Sequence, residues 1–339
     1  MLAFNETHCR EDLFPLTLTR PVADIRVGML TIREKWRYSG LKISDEIPAN
    51  LIPSPAFLQE VKILGLKRAL EAKELYRKFN FPWELPALND WAIRSDFELL
   101  TKELHSAILP TSNRVTSNKD EIFLAPGVTI EHCYLNTTNG PIYLDEGANI
   151  MEGSMLRGPL YIGRNAVVKM GATIYGATTI GEGCIIGGEV KNSIFMGFSN
   201  KAHDGYIGDA VIGEWCNLGA GTSCSNLRNT ATEIKIWHMH SGSYMKGGLK
   251  CGLIMGDHSK ASINSSFNTG TVVGVSANIF QSGALLPKYI PSFTWGADGS
   301  VKYQLDKALA DIQNWMVFKH RELDLEQIKT LIEIYNKQQ

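Results

Sequence analysis

The 339-residue sequence has no apolar run near the roughly 18 residues that a membrane-spanning helix needs. Its first residues, MLAFNETHCRED, contain neither a basic stretch nor an apolar one, so they read as neither leader nor anchor. The expectation is a cytoplasmic protein with no membrane partner. Charge of one sign is also missing. Lys and Arg number 34 against 35 Asp and Glu, a net charge of −1. Without a basic field the chain is not expected to bind nucleic acid, although a few local cations suffice for a small phosphorylated ligand. The six cysteines (Cys9, Cys133, Cys184, Cys216, Cys224, Cys251) show no CxxC and no zinc-type spacing. They read as small buried hydrophobes in a reducing compartment. His238 and His240 alternate in IWHMH, but no third ligand is in view, so no metal site is expected.

What the sequence does have is a repeat. Leu144, Ile150, Leu156, Ile162, Val168, Ile174, Ile180 and Ile186 follow one another at intervals of six. Four residues after each stands a mostly small side chain, among them Ala148, Ser154, Ala166, Ala172, Thr178 and Cys184. The pattern returns at Ile212 and Leu218, and again from Met255 to Ile279, with Ser259, Ser265, Thr271, Ala277 and Gly283 at the small position. Six is neither the 3.6 of a helix nor the 2 of a strand. It fits a short strand plus a turn, stacked coil on coil around a narrow interior, with glycine supplying the turns. The fold class expected is therefore mainly β, a parallel β-helix over residues 119–295.

The flanks differ. Residues 1–112 carry helix-like segments at Leu58–Lys73 and Ala92–Leu104, punctuated by proline, and read as a small α/β domain. Pro110–Asn118 reads as a linker. Residues 296–339 read as a helical tail, with helices over Val301–His320 and Leu325–Asn336 placed to cap an open solenoid end.

Between Ile186 and Ile212 the hexad lapses, and a solenoid that loses its repeat is expected to place a loop or a site there. Polar groups concentrate in this stretch and just beyond it: Glu189, Lys191, Asn192, Lys201, His203, Asp204, Tyr206, Asn217, Asn226 and Arg228. Taken singly, each has a plain reading. A lone histidine is usually a surface residue, Lys191 a solvated charge, and Asn217 a turn or asparagine-ladder residue. Cys224, beside them, reads as structural.

The segments GEVKNS, SNKAHDGYIGD, IGEWCNLGAGT and SNLR, in that order, resemble the acetyltransferase domain of the bifunctional GlmU-like family that makes UDP-N-acetylglucosamine. The NLR ending and the later LKCGLIMGDHSKASINSSFNTGTVVG are similar to the archaeal sugar-1-phosphate nucleotidylyltransferase/acetyltransferases. With LTRPVADIRVGMLTIREKW near the start, the whole resembles the form found in Bacteroidetes. That resemblance implies a left-handed β-helix, a homotrimer, acetyl-CoA as co-substrate and glucosamine-1-phosphate or a related amino-sugar-1-phosphate as acceptor. It implies His203 as the general base, a role that neutral imidazole suits near pH 7. It also implies Lys191 on the sugar phosphate, Tyr206 on the sugar, and Asn217, Asn226 and Glu189 as further acceptor contacts. Ser259 and Ala277 are implied, by position, to line the acyl-CoA groove, with Asp257 and His258 nearby. An arginine that grips the phosphate in the family has no counterpart here. Its place falls near Tyr175, and Arg157 and Lys169 are both open as substitutes. Leu227 stands where the family has a tyrosine.

FPLTLTRPVADIRVG resembles the stretch after the glycine-rich loop of sugar nucleotidylyltransferases, where backbone N–H groups approach nucleotide phosphates. Here the preceding NETHCREDL has no glycine, and Val22 follows Pro21 where a lysine is expected. Arg10, Arg20 and Asp24 are the candidate phosphate and Mg²⁺ residues, Mg²⁺ being required only if nucleotidyl transfer operates. The plainer reading pairs Arg20 with Asp24 in a remnant domain. Two other functions stay open: a sugar-phosphate nucleotidylyltransferase whose β-helix serves oligomerisation, and a non-catalytic sugar-nucleotide-binding scaffold.

Overall fold

The computed structural model describes residues 2–280 and 285–337, so Gly283 of the repeat lies outside the described residues. From Arg114 onward the chain winds as a three-sided parallel β-solenoid. Its faces are sheets of six, nine and eight strands, in which each strand pairs with its counterpart one coil away. Ile142 pairs with Leu160 and Leu160 with Thr178, eighteen residues or three hexads apart. The aliphatic hexad positions and the small ones four residues later are almost all buried in one continuous core from Ile122 to Ala297. A three-sided coil leaves room inside for little more than one side chain per face in each layer. That is why aliphatic and small residues alternate along it.

The lapse of the hexad does not interrupt the coil. Glu189–Lys191, Ile194–Gly197, Asn200–Lys201 and Tyr206–Gly208 are all strands in register with their neighbours. What changes is coil length: Thr173 pairs with Glu189 and Ile185 with Asn200, sixteen and fifteen residues on. Pairing constrains only the strands, so a coil is free to shed residues at its corners, and at Gly187–Gly188 it does. The expected loop lies later. Val211 pairs with Ile254, and the intervening chain carries an antiparallel hairpin, Lys235–His238 with Ser243–Lys246.

The first hundred residues hold helices α1 (Ile32–Tyr38), α2 (Pro55–Leu64), α3 (Leu66–Ala69) and α4 (Leu85–Thr101), with three two-stranded pairs in place of a large sheet. Thr31 and Glu34 form a capping box at the start of α1, and Ser54 with Pro55 starts α2. The single helix expected over Leu58–Lys73 is two, because Gly65 adopts φ +80° between them. This region is built onto the solenoid. Ile194, Met196 and Val211 of the nine-stranded face complete its core. On α4, Asn89 donates to the Ala177 carbonyl at 2.7 Å and to Thr179 Oγ1 at 3.1 Å, and accepts from Gly28 N at 2.7 Å. Beneath it, Lys35 and Asp96 form an ion pair with almost no exposure, and Asp96 also accepts from the Met29 and Leu30 amides.

The terminal helices α5 (Leu305–Phe318) and α6 (Leu325–Asn336) lie along a flank of the solenoid, a correction to the end-capping expectation. Their apolar stripe covers Trp215, Val275 and Phe293, and Lys319 Nζ reaches back to the Gly183 carbonyl and Asn200 Oδ1, both at 2.8 Å. The corner aromatics there form an apolar ridge that needs cover. Among the described residues, no helix is long and apolar enough to cross a membrane.

Replacing Asp96 with Ala leaves the buried Lys35 ammonium without its counter-charge. The expected loss is about 3–5 kcal/mol, read as a lower midpoint in urea denaturation. A midpoint within error of wild type refutes the assignment of this pair as a keystone.

Candidate functional site

The six-stranded face carries the polar cluster. Thr173, Glu189 and Tyr206 form one row across three coils, and Tyr175, Lys191 and Gly208 the next. The Tyr175 hydroxyl donates to Glu189 Oε1 at 2.6 Å, which pushes the phenol up to about 12. Lys191 Nζ stands 5.7 Å from the Tyr175 ring centroid, a cation–π contact that leaves the ammonium free to meet an anion. Tyr206 lies along its strand over Gly208, where an added Cβ would come within 2.1 Å of the Tyr206 hydroxyl. Burial, with Asp209 nearby, raises the Tyr206 phenol, so it stays protonated and able to donate.

At the end of this face Asp209 turns the chain with φ +47°. Its two carboxylate oxygens accept separately from Asn192 Nδ2 and Asn226 Nδ2. Asn226 is thereby fixed beside the face that carries Lys191 and Tyr206. Asp209 was not among the candidates. The signal for it is a carboxylate at a corner one residue after a glycine, in GYIGD.

At the other edge of the same face, His203 is exposed in a groove of about 500 Å³. Lys169, Gly187, Gly188, Asp204, Ala220 and Asn264 share the groove with it. Lys169 is thus placed with His203. Arg157 belongs to the row of Tyr175 and Lys191, two coils below Lys191, which is about 10 Å at the usual strand spacing.

Other candidates stand apart. Asn217 is on the eight-stranded face, paired with Asn200 and Lys260, and so does not share a face with Lys191 and Tyr206. Ser259 and Ala277 point inward and are buried. The Ser259 hydroxyl donates to the Gly274 carbonyl at 2.7 Å and accepts from the Ala277 amide at 3.0 Å. Neither offers a surface to acyl-CoA, a correction to the position-based expectation. Asp257 and His258 are likewise buried. The thiols follow the core reading: all six cysteines are free and buried, and burial pushes Cys224 up to about 11.

The N-terminal charges are engaged internally. Arg20 pairs with Asp257 and with Glu214, the latter at 3.2 Å, and not with Asp24. Asp24 is held by the Arg33 guanidinium through two hydrogen bonds. Arg10 binds Glu6 and the Thr17 carbonyl. His238 and His240 face Asp12 and Glu11 at 3.3 and 3.4 Å, joining the hairpin to the N-terminal region.

Comparison with known proteins gives four matches, among others. A family described as sugar nucleotidyl transferase matches residues 1–45. The chain is 35% identical over 97 residues to a bifunctional sugar-1-phosphate nucleotidylyltransferase/acetyltransferase of Sulfurisphaera tokodaii, covering 29% of this chain and 24% of the relative. It is 37% identical over 107 residues to the bifunctional protein GlmU of Methanocaldococcus jannaschii, covering 32% and 26%. The matches thus span about a quarter of these relatives. Among solved structures, an Arabidopsis UDP-N-acetylglucosamine acyltransferase aligns over 67% of this chain and 88% of its own, at 14% identity and a TM-score of 0.20.

Asp209→Asn keeps a residue that tolerates the left-handed corner but removes one acceptor oxygen. One of the two clamped amides then loses its partner, an expected cost of about 1–3 kcal/mol in chemical denaturation. No change in stability refutes the clamp.

Proposed function

We propose that this protein is an acetyl-CoA-dependent N-acetyltransferase acting on glucosamine-1-phosphate or a related amino-sugar-1-phosphate, in the supply of UDP-N-acetylglucosamine for the cell wall. The observation that carries the reading is one edge of one face. An accessible imidazole, His203, opens into a groove beside Lys169, next to a face bearing Lys191 and Tyr206. A scaffold has no need of a base, two ammonium groups and a phenol donor so arranged.

In this reading the cations hold the sugar phosphate, and Tyr206 and Asn226 orient the ring. His203 takes the proton from the amine as nitrogen attacks the thioester carbonyl. The N–C bond forms, the C–S bond breaks, and CoA leaves as the thiol once it regains a proton. The acyl donor lies along the outer surface of the groove, because Ser259 and Ala277 are closed to it. A homotrimer would complete the groove, since clefts between neighbouring solenoids are natural ligand sites. Six free buried thiols suit a cytoplasmic enzyme.

The N-terminal region, in this reading, does not transfer nucleotides. Arg20, Asp24 and Arg10 have the chemistry to hold a nucleotide with Mg²⁺, but each is committed to a protein partner. So engaged, they do not fit the group.

The test is thiol release from acetyl-CoA with glucosamine-1-phosphate, wild type beside His203→Ala, with a parallel assay for UTP-dependent transfer. Release is expected in wild type, a loss of at least 10²-fold in the variant, and no UTP-dependent product. No release from folded wild type with any amino-sugar-1-phosphate overturns the reading. UTP-dependent transfer overturns the account of the N-terminal region.

A further inference from the structure

One row of the solenoid interior runs Ile130, Ile150, Val168, Ile186, Lys201, Leu218, Ala261, Ile279, through successive pairings on the eight-stranded face. Seven of the eight are aliphatic. The exception is a lysine, 1% exposed. An ammonium inside such a core carries a desolvation cost of several kcal/mol, and an aliphatic residue would fit the row without it. Among the described residues Lys201 has no carboxylate within ion-pair distance, so Coulomb attraction at contact does not offset that cost.

Its Nζ instead makes two hydrogen bonds to main-chain carbonyls, Gly187 at 2.8 Å and His203 at 2.7 Å. The two carbonyls belong to successive coils at the corner where the chain passes from the eight-stranded face to the six-stranded one. Space for the ammonium comes from Gly188, at φ +66°. An added Cβ there would lie 2.9 Å from Lys201 Nζ and 2.8 Å from the His203 carbonyl oxygen. The corner on which His203 stands is therefore fastened from within, by a charge whose row is otherwise aliphatic.

We propose that Lys201 is a positioning residue, whose buried ammonium locks the His203 corner and so sets the direction of the imidazole in the groove. The proposal rests on the reading of His203 as the general base. Lys201 touches no substrate. It acts through the main chain of the residue that does.

The environment makes this lock sensitive to pH. Desolvation lowers the Lys201 ammonium to about 8, opposed by Asp204 and, more weakly, by Cys224 and Glu189. Asp204, Cys224 and Glu189 are the titratable groups that act on it, with Lys169 across the corner from Gly187. Below about pH 8 the ammonium donates to both carbonyls. Above it the neutral amine has one donor fewer and no charge, and the lock weakens. Activity is then expected to fall on the alkaline side, above about pH 8.

The experiment uses the full chain with ¹³C-labelled histidine and the variants Lys201→Met and Lys201→Gln. Methionine fills the row without a charge, and glutamine retains N–H donors without one. The His203 imidazole signal, assigned by its loss in His203→Asn, is followed from pH 5 to 9.5. In wild type it is expected to show a second inflection near pH 8, absent in both variants. In the thiol-release assay, Lys201→Met is expected to lose at least tenfold in kcat with both KM values within about twofold, and Lys201→Gln to recover part of it. If Lys201→Met does not fold, the glutamine variant carries both measurements. A His203 titration curve identical in wild type and variant overturns the proposal, whether or not wild type transfers acetyl groups. A variant kcat within twofold of wild type overturns it as well. Absence of any acetyl transfer by wild type, with the imidazole signals still responding to Lys201, refutes the acetyltransferase reading and leaves the lock in place.

Discussion

The strands of one coil hydrogen-bond to those of the coils on either side, around an interior filled by buried side chains. This pairing around a packed interior is the constraint on which the rest depends. It makes most inward positions aliphatic or small from Ile122 to Ile290, with Phe195, Phe267 and Lys201 among the exceptions. It also recruits corner serines as internal hydrogen-bond partners. Ser193 Oγ accepts from the Ala210 amide, Ser199 Oγ from Cys216 and Ser259 Oγ from Ala277, each tying one coil to its neighbour. A small polar residue in a solenoid is therefore first a structural element. Only a polar group that faces outward, or one whose inward burial nothing structural requires, points to chemistry. His203 is of the first kind and Lys201 of the second.

The N-terminal region puts charged residues to structural use. Its first 45 residues are similar to sugar nucleotidyl transferases. Yet the guanidinium of Arg20 is turned into the body of the protein, where Asp257 and Glu214 from the solenoid neutralise it and Thr19 Oγ1 adds a 2.6 Å hydrogen bond to the same Asp257 carboxylate. The segment that reads like a phosphate-binding stretch works as the mount that seats these residues on the coils.

The solenoid was legible in the sequence because its signal is periodic: one misplaced residue in Leu144–Ile186 would have shown. The terminal helix Leu325–Asn336 was legible to the residue, while the helix read over Val301–His320 is shorter, Leu305–Phe318. Position along a chain does not reveal which side a residue faces once coils shorten. Coils of fifteen and sixteen residues keep their strands in register while shifting the count. The lapse after Ile186 therefore looked like a loop and is a pair of tight corners, and Asn217 looked like a neighbour of Tyr206 and stands on another face. Pairings between distant segments, such as Arg20 with Asp257 or Asn192 with Asp209 and Asn226, leave no trace in local pattern. The resemblance to a family brought His203, Lys191, Tyr206 and Asn226 to attention. Geometry then separated these from Ser259 and Ala277, which the interior claims.

The seating of the first hundred residues on coils made much later has a consequence for synthesis. Their core is closed by Ile194, Met196 and Val211, and Arg20 meets its counter-charges at Glu214 and, last, at Asp257. At roughly 5–20 residues per second, the nascent N-terminal region waits about 10–30 s between its own completion and the arrival of Asp257. For most of that interval, until Val211 has been made, its apolar face lacks the residues that complete its core. Growth of this chain therefore inverts the usual order, with the middle maturing ahead of the beginning. Until the nine-stranded face has grown to Val211, the apolar surface it will cover stays open to solvent.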